Sequence, residues 1–258
     1  MPGEPTVLAG DAGGRIASFV SALARFPDEP AWVVVGGFAV NVRISQVHRL
    51  TNDLDTISAN QDEFMEILLA HADADRLDHA KLRLTGERAD VDIDVMDDTS
   101  HHALPPEASD RAFALARRFA MNTREQLTIV VIEDGSSITQ SVTPVATVAA
   151  LVALKSVSMP RRSASNHPEK IASDIHDLVR LVEGHDLNEL ARALGAADAE
   201  LARWIGQTLV RWFSADADQR YTLARLRRLS NALDAQAIDE GVLDVIAILG
   251  RTVLDGLP

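Results

Sequence analysis

The chain has 258 residues, and its 25 basic against 38 acidic side chains leave a net charge of −13, which excludes a broad, non-specific grip on nucleic acid. An apolar fraction of 47% with 24% charged residues is the mix of a globular protein that buries a core, in one large domain or two ordinary ones. There is no cysteine, so disulfides, thiolate zinc sites and thiol nucleophiles are excluded.

From the N-terminus, Met1–Gly10 lacks the basic flank and apolar stretch of a signal peptide. Apolar runs such as Ala31–Val35 and Val145–Leu154 are too short to span a membrane. No membrane partner is expected, and the absence of cysteine fits a cytoplasmic protein. Gly14–Arg25 has the spacing of an amphipathic helix, ended by Phe26-Pro27 and the Pro30 that follows. Ala31–Val35 is a short apolar run, the mark of a strand buried on both faces. Gly36-Gly37 punctuates it, and Phe38–Ile44 follows as a short helix. Asp53–Ser58 is predicted as strand, and Asp62–His71 as helix on the spacing of Phe64, Ile67 and Leu68. Leu77–Thr85 and Ala89–Met96 both alternate, as neighbouring half-buried strands do. Asp97–Asp110 is a loop by composition, and Leu127–Ile132 a further strand closed by Asp134-Gly135. From Pro144 onward the period is helical, with breaks at Met159–Pro168, at Glu183-Gly184, near Gly195 and at Ser214–Asp218. The chain is thus expected to be α/β (α+β), with an N-terminal domain over 1–142 and a helical domain over 143–258.

Three features in the N-terminal part carry chemistry. Val33-Val-Val-Gly36-Gly37-Phe38 is strand, glycine pair, helix; it lets backbone N–H groups approach an anion, or is simply a tight turn. In Arg49-Leu-Thr51-Asn-Asp53-Leu-Asp55, strand alternation points Asp53 and Asp55 to one face and Leu54 to the other. Two such carboxylates repel unless a cation sits between them, and Mg²⁺ takes oxygen ligands while keeping positions open for phosphates. A solvated strand end is the plain alternative. In Asp90-Val-Asp92-Ile-Asp94-Val, three acids share one face opposite Val91, Ile93 and Val95; they flank a cation or belong to a solvated edge strand.

These residues resemble the polymerase β-like nucleotidyltransferase superfamily, whose pattern is apolar-Gly-Gly/Ser, a spacer, apolar-Asp-x-Asp and a later acid on an adjacent strand. The string GGFAV…R-x-T-x-D-L-D (Gly36, Gly37, Arg49, Thr51, Asp53, Asp55) is similar to the AbiEii/MenT branch, the nucleotidyltransferase toxins of bacterial toxin–antitoxin systems. Val91-Asp92-Ile93 best matches the third acid of the pattern, with Asp94 fitting nearly as well. Thr143–Lys155 resembles the branch's helix that ends in a lysine, and Lys170–Val179 its basic-Asp-x-x-Asp-Leu helix. Lys155 is the only charge between Val145 and Val157, on an all-apolar helix, so it is expected buried and in need of an anion, or snorkelling from a helix end. Asp174 lies at the edge of the stripe Ile171, Ile175, Leu178 and Val182 and is the expected functional acid. Asp177 turns further away, where pairing with Lys170 or Arg180 would account for it. The resemblance covers residues 31 to 182.

The resemblance implies a mixed sheet followed by a helical domain that contributes Lys155 and Asp174 to the site. It implies Mg²⁺, with Mn²⁺ as substitute, on Asp53, Asp55 and Asp92 or Asp94. A nucleoside triphosphate would be steadied by Gly36, Gly37, Arg49, Thr51 and Lys155. The implied reaction transfers a nucleotide to the 3′ end of tRNA, which inhibits translation, and the implied partner is a cognate antitoxin. It also implies silencing by phosphorylation of a hydroxyl two residues before the first metal-binding Asp, the place of Thr51. Nucleotidylation of a protein or an aminoglycoside, and a non-catalytic binding module, remain as alternatives. RNA would have to meet a local basic surface. Candidates are Arg111, Arg117, Arg118 and Arg124; Arg161, Arg162, His167 and Lys170; and Arg220, Arg225, Arg227 and Arg228, each of which a solvated helix face also explains. His101 and His102 lack ligand spacing. Trp32, Trp204 and Trp212 sit in apolar patterns typical of core, and Ser136, Ser137 and Ser141 lack a nucleophile context.

Overall fold

The sheet is built around the run Val33–Val35, whose side chains are almost wholly removed from solvent. In the computed structural model, residues 4–164, 168–215, 218–229, 232 and 234–257 are described; His167 lies outside them. The chain divides into two compact units, one of residues 1–102 with 120–147, the other of 103–119 with 148–258.

In the first unit the elements run β1 (Thr6–Ala9), α1 (Arg15–Leu23), β2 (Trp32–Val34), α2 (Gly36–Arg43), β3 (Asp53–Ser58), α3 (Gln61–Leu69), β4 (Ala74–Arg76), β5 (Lys81–Leu84) and β6 (Val91–Asp97). Helix α4 (Ala108–Asn122) follows, and β7 (Glu125–Glu133) and β8 (Ser136–Val145) complete the sheet. The eight strands are ordered β1-β7-β8-β2-β3-β6-β5-β4. β2 pairs antiparallel with β3, and β3 parallel with β6, so this is the expected α/β chain with a mixed sheet. Alternation explains β6: Val91, Ile93 and Val95 are buried while Asp92 and Asp94 stay partly open on the other face. Phe26, Trp32 and Phe64 stack edge-on at 4.9 and 5.5 Å between centroids, so Trp32 is core, as its apolar setting predicts. Its indole N–H donates to Pro27 O at 2.7 Å.

Three strands were not legible. β4 is three residues long and lies just before the expected Leu77–Thr85. β1 is only four residues long, and β8 runs Ser136–Val145 through Ser, Thr and Gln positions that dilute an apolar alternation. β8 returns antiparallel on β7 after a tight turn in which Asp134 and Gly135 both take positive φ, 49° and 76°, the geometry of a two-residue hairpin loop. Helix α4 begins at Ala108, inside the stretch expected as loop.

The second unit holds most of α4 and then α5 (Val148–Ala164), α6 (Pro168–Glu183), α7 (Leu187–Gly195), α8 (Ala199–Phe213), α9 (Gln219–Leu226) and α10 (Glu240–Asp255). Residues 103–119, N-terminal of the predicted boundary at 142, group with these helices. α5 does not break at Met159. It runs through Pro160, which withdraws the donor to the Ser156 carbonyl four residues back and crowds that carbonyl. α8 and α10 cross closely because Gly206 and Gly250 face one another: a Cβ on either would stand 2.9 Å from the other's carbonyl oxygen.

Candidate active site

The parallel β3–β6 register sets Asp53 opposite Asp92 and Asp55 opposite Asp94. Leu54 and Ile93 turn to the core, so the acids share the opposite face. One oxygen each from Asp53, Asp55 and Asp94 lies within 4.8 Å of the others. Asp92 is not in that group. Its two oxygens accept from Arg83 on β5, from Nε at 2.6 Å and Nη2 at 3.1 Å. That hydrogen-bonded guanidinium holds the Asp92 carboxyl below the usual carboxylate range. The structure therefore gathers Asp94, rather than the better pattern match Asp92, with the Asp-x-Asp pair.

Lys81 also belongs to this face and was missed from the sequence. Its Nζ lies 3.3 Å from Asp94 Oδ1 and 3.9 Å from Asp92 Oδ2. Partial burial disfavours its charge, but the carboxylates of Asp94, Asp53 and Asp92 outweigh this and raise the ammonium above its ordinary value. The available signal was the alternation Lys81-Leu-Arg83-Leu, two cations on one strand face beside an acidic strand. Lys81 pairs in register with Asp94 and Arg83 with Asp92.

The glycine pair opens α2. Gly36 has φ +71°, and a Cβ there would fall 1.9 Å from Asp55 Oδ2. Only glycine takes this conformation without strain and lets the carboxylate stand so close. The Val35 N–H donates to Asp55 O at 2.9 Å, tying the turn to β3. The N-cap residue of α2, Val35, makes no side-chain cap bond, and the first N–H groups of a helix are the kind that bind an anion. Against Gly37 lies the buried Arg49, with its Nη2 2.5 Å from where a Cβ would be. The Thr51 hydroxyl is buried and donates to Asp53, to the carbonyl and to Oδ1, each at 3.2 Å.

In the helical unit, Lys155 is buried on α5 as expected, and α6 brings it two carboxylates. Its Nζ lies 2.9 Å from Asp174 Oδ1 and 2.7 Å from Asp177 Oδ2. Arg162 pairs with the other oxygen of Asp174. Asp174 and Asp177 are both wholly buried, which corrects the surface-pair reading of Asp177. Its proposed partner Arg180 instead pairs with Asp234, and with Glu183 at 2.8 Å. The sequence misled because Asp177 was measured against the apolar stripe alone, whereas α6 is buried on more than that side. Arg161 and Arg162 lie in the last turn of α5 rather than in a loop, and Arg161 pairs with Asp110.

The donors of the first group are all carboxylate oxygens, which suits Mg²⁺ or Mn²⁺ and not a soft metal. Around one Mg²⁺ opposite oxygens stand about 4.2 Å apart and adjacent ones about 3.0 Å, so the carboxylates would draw together around an ion. Of the side chains set aside, His101 and His102 are exposed, and Ser141 is buried with its hydroxyl on that of Thr143 at 2.7 Å. No helix among the described residues is long and apolar enough to cross a membrane.

Residues 18–246 match the model of the family described as nucleotidyl transferase AbiEii toxin, Type IV TA system. Among solved structures, JHP933 from Helicobacter pylori aligns over 96% of this chain and 94% of its own, with 12% identity and a TM-score of 0.50, a likeness of fold. A "putative nucleotidyltransferase" from H. pylori aligns over 95% and 94% at 12% identity, with a TM-score of 0.43. No curated protein matches the chain.

Proposed function

Since this chain belongs to the AbiEii family of nucleotidyl transferase toxins of Type IV toxin–antitoxin systems, we propose that it transfers a nucleotide from a nucleoside triphosphate to the 3′ end of tRNA, with pyrophosphate leaving, and so inhibits translation. The observation that carries this reading is the convergence of Asp53, Asp55 and Asp94 on one sheet face beside the start of α2. Bound there, Mg²⁺ or Mn²⁺ would polarise the α-phosphate and make the acceptor hydroxyl more acidic. Asp53 and Asp55 hold the ion. Asp94, alone among the three in lying on β6, accepts the proton of the attacking 3′-hydroxyl. The N–H groups that open α2 at Gly36 and Gly37 bind the phosphates, whose charge the helix dipole favours. The buried Arg49, which Gly37 makes room for, adds a cation to the same end of the helix. A cognate antitoxin is the partner that silences the enzyme.

The test incubates the protein with deproteinised tRNA, Mg²⁺ and each labelled triphosphate in turn, and resolves the RNA at single-nucleotide length. Extension of tRNA by one triphosphate, absent with Asp53→Ala, is the expected result. Labelling of a protein or an aminoglycoside instead would replace the acceptor. Failure to release pyrophosphate with any acceptor would leave a binding module.

A further inference from the structure

Two basic candidates for RNA, Arg161 and Arg162, are already engaged by Asp110 and Asp174. A different surface of the helical unit is less committed. From Gln219 to Leu229 the chain has four arginines and no acid, in a protein whose net charge is −13. Helical spacing continues past the end of α9 through the bonds Arg227 N–H to Leu223 O and Arg228 N–H to Arg225 O. Arg220, Tyr221, Ala224, Arg227 and Arg228 consequently share one exposed face. Arg220, Arg227 and Arg228 form no ion pair among the described residues. Tyr221 leaves 68% of its surface in solvent, unusual for the only tyrosine of a chain with few aromatics.

Beside this face lies a cavity of about 620 Å³ between α8, α9 and the end of α5, lined by Trp204, Gln207, Arg211, Trp212 and Arg225 among others. The Arg225 guanidinium lies 4.8 Å from the Trp212 ring centroid, flat-faced chemistry that a base can extend. The Trp204 indole N–H has no acceptor among the described residues. Arg211 is exposed and only loosely held by Asp218, at 3.6 Å.

We propose that the exposed face of α9 and the adjoining Trp/Arg cavity bind a single-stranded segment of RNA, with Arg211, Arg220, Arg227 and Arg228 on phosphates and Tyr221 stacking on a base. Interleaved arginines and accessible aromatics are what sequence-tolerant single-strand binding requires. A solvated basic face explains the arginines alone. It does not explain an exposed aromatic among them or an aromatic cavity alongside. The surface deepens the tRNA reading above and rests on it for the identity of the natural ligand.

The experiment measures binding of two probes, oligouridine and deproteinised tRNA, across a salt series. The full chain is compared with Arg220→Ala/Arg227→Ala/Arg228→Ala and with Tyr221→Ala. All four positions are exposed, so melting temperature should stay at the parent value. The triple variant should bind both probes roughly tenfold or more weakly, with a slope of log K against log salt shallower by about 2. Tyr221→Ala should bind oligouridine about fivefold or more weakly with the slope unchanged. Unchanged affinity and slope in the triple variant, or no binding of either probe by the parent, overturns the surface. If the triple variant extends tRNA with the parent's KM, the surface is also overturned while the enzymatic reading stands. If the arginines hold oligouridine but no triphosphate extends tRNA, the acceptor reading falls and the surface remains.

Discussion

The Asp55 carboxylate occupies the space where a side chain at position 36 would begin: a Cβ on Gly36 would lie 1.9 Å from Asp55 Oδ2. One contact joins the glycine pair to the acid pair, so the turn and the site are one construction. Gly36→Ala should therefore displace Asp55 as well as strain a backbone at φ +71°. The cost should be about 1–3 kcal/mol of stability, with pyrophosphate release down on the order of a hundredfold through misplacement of the carboxylate. Gly37→Ala meets only the far end of the Arg49 side chain and should keep more activity and stability. Equal effects of the two substitutions, in melting and in pyrophosphate assays, would refute the coupling.

Asp94 and Asp92 should separate cleanly. Asp53→Ala, Asp55→Ala and Asp94→Ala each remove a carboxylate from the cluster and should abolish transfer. Without metal, Asp53→Ala and Asp55→Ala should be as stable as the parent or slightly more so, since carboxylate repulsion is relieved, whereas Asp94→Ala also loses its pair with Lys81. Asp92→Asn should leave measurable transfer and lose its pairing with Arg83 and the longer one with Lys81, about 1 kcal/mol because both cations are partly solvated. Because Arg83 lowers the Asp92 pKa, the pair's contribution is present above the ordinary carboxylate range and fades as pH falls through the lowered value. Metal-free melting of parent and Asp92→Asn should thus converge in acid. An inactive Asp92→Asn beside an active Asp94→Ala would reverse the assignment.

Thr51 offers a test of control. Its buried hydroxyl is already donated to Asp53. A phosphate there would bring about −2 charges against Asp53 and compete with metal and triphosphate. Thr51→Glu should therefore raise the Mg²⁺ concentration needed for half-maximal activity, and Thr51→Val, which only drops the hydrogen bond, should raise it far less. Equal Mg²⁺ requirements in the two variants would remove electrostatics from the explanation.

What the sequence disclosed, and what it hid, follows from the range of the interactions. Strand alternation is local, so the shared faces of Asp53 with Asp55 and of Asp92 with Asp94 were legible, as was the core run at Val33–Val35. Which acid of β6 meets the pair was not, because it depends on the cations that β5 presents across the sheet. Lys81 and Arg83 each select a partner by register, a non-local property. Likewise the burial of Lys155 followed from its apolar helix, but the second carboxylate on it required knowing how α5 and α6 pack. β8 was lost because its half-exposed Ser and Thr positions carry no apolar period, and the end of α5 because Pro160 suggested a break that one missing hydrogen bond does not enforce.

Lys155 is held by Asp174 and Asp177, two carboxylates less exposed than itself, and Arg162 supplies a second cation to Asp174. Removing one member strands the others in the interior. Lys155→Met should then cost about 3–5 kcal/mol of stability, far more than Arg161→Ala, whose pair with Asp110 is substantially solvated and worth under about 1 kcal/mol. Activity should fall in the same order, but loss of fold alone would produce that ranking. The variant Lys155→Met/Asp174→Leu/Asp177→Leu separates the two causes. It removes the buried charges together, which is often neutral or stabilising, and leaves Arg162 partly exposed and able to reach water. A folded, inactive triple variant would show that the cluster serves the reaction. A folded, active one would reduce Lys155 and Asp174 to structural parts of the helical unit. Thermal unfolding and tRNA extension on the same preparations decide between them.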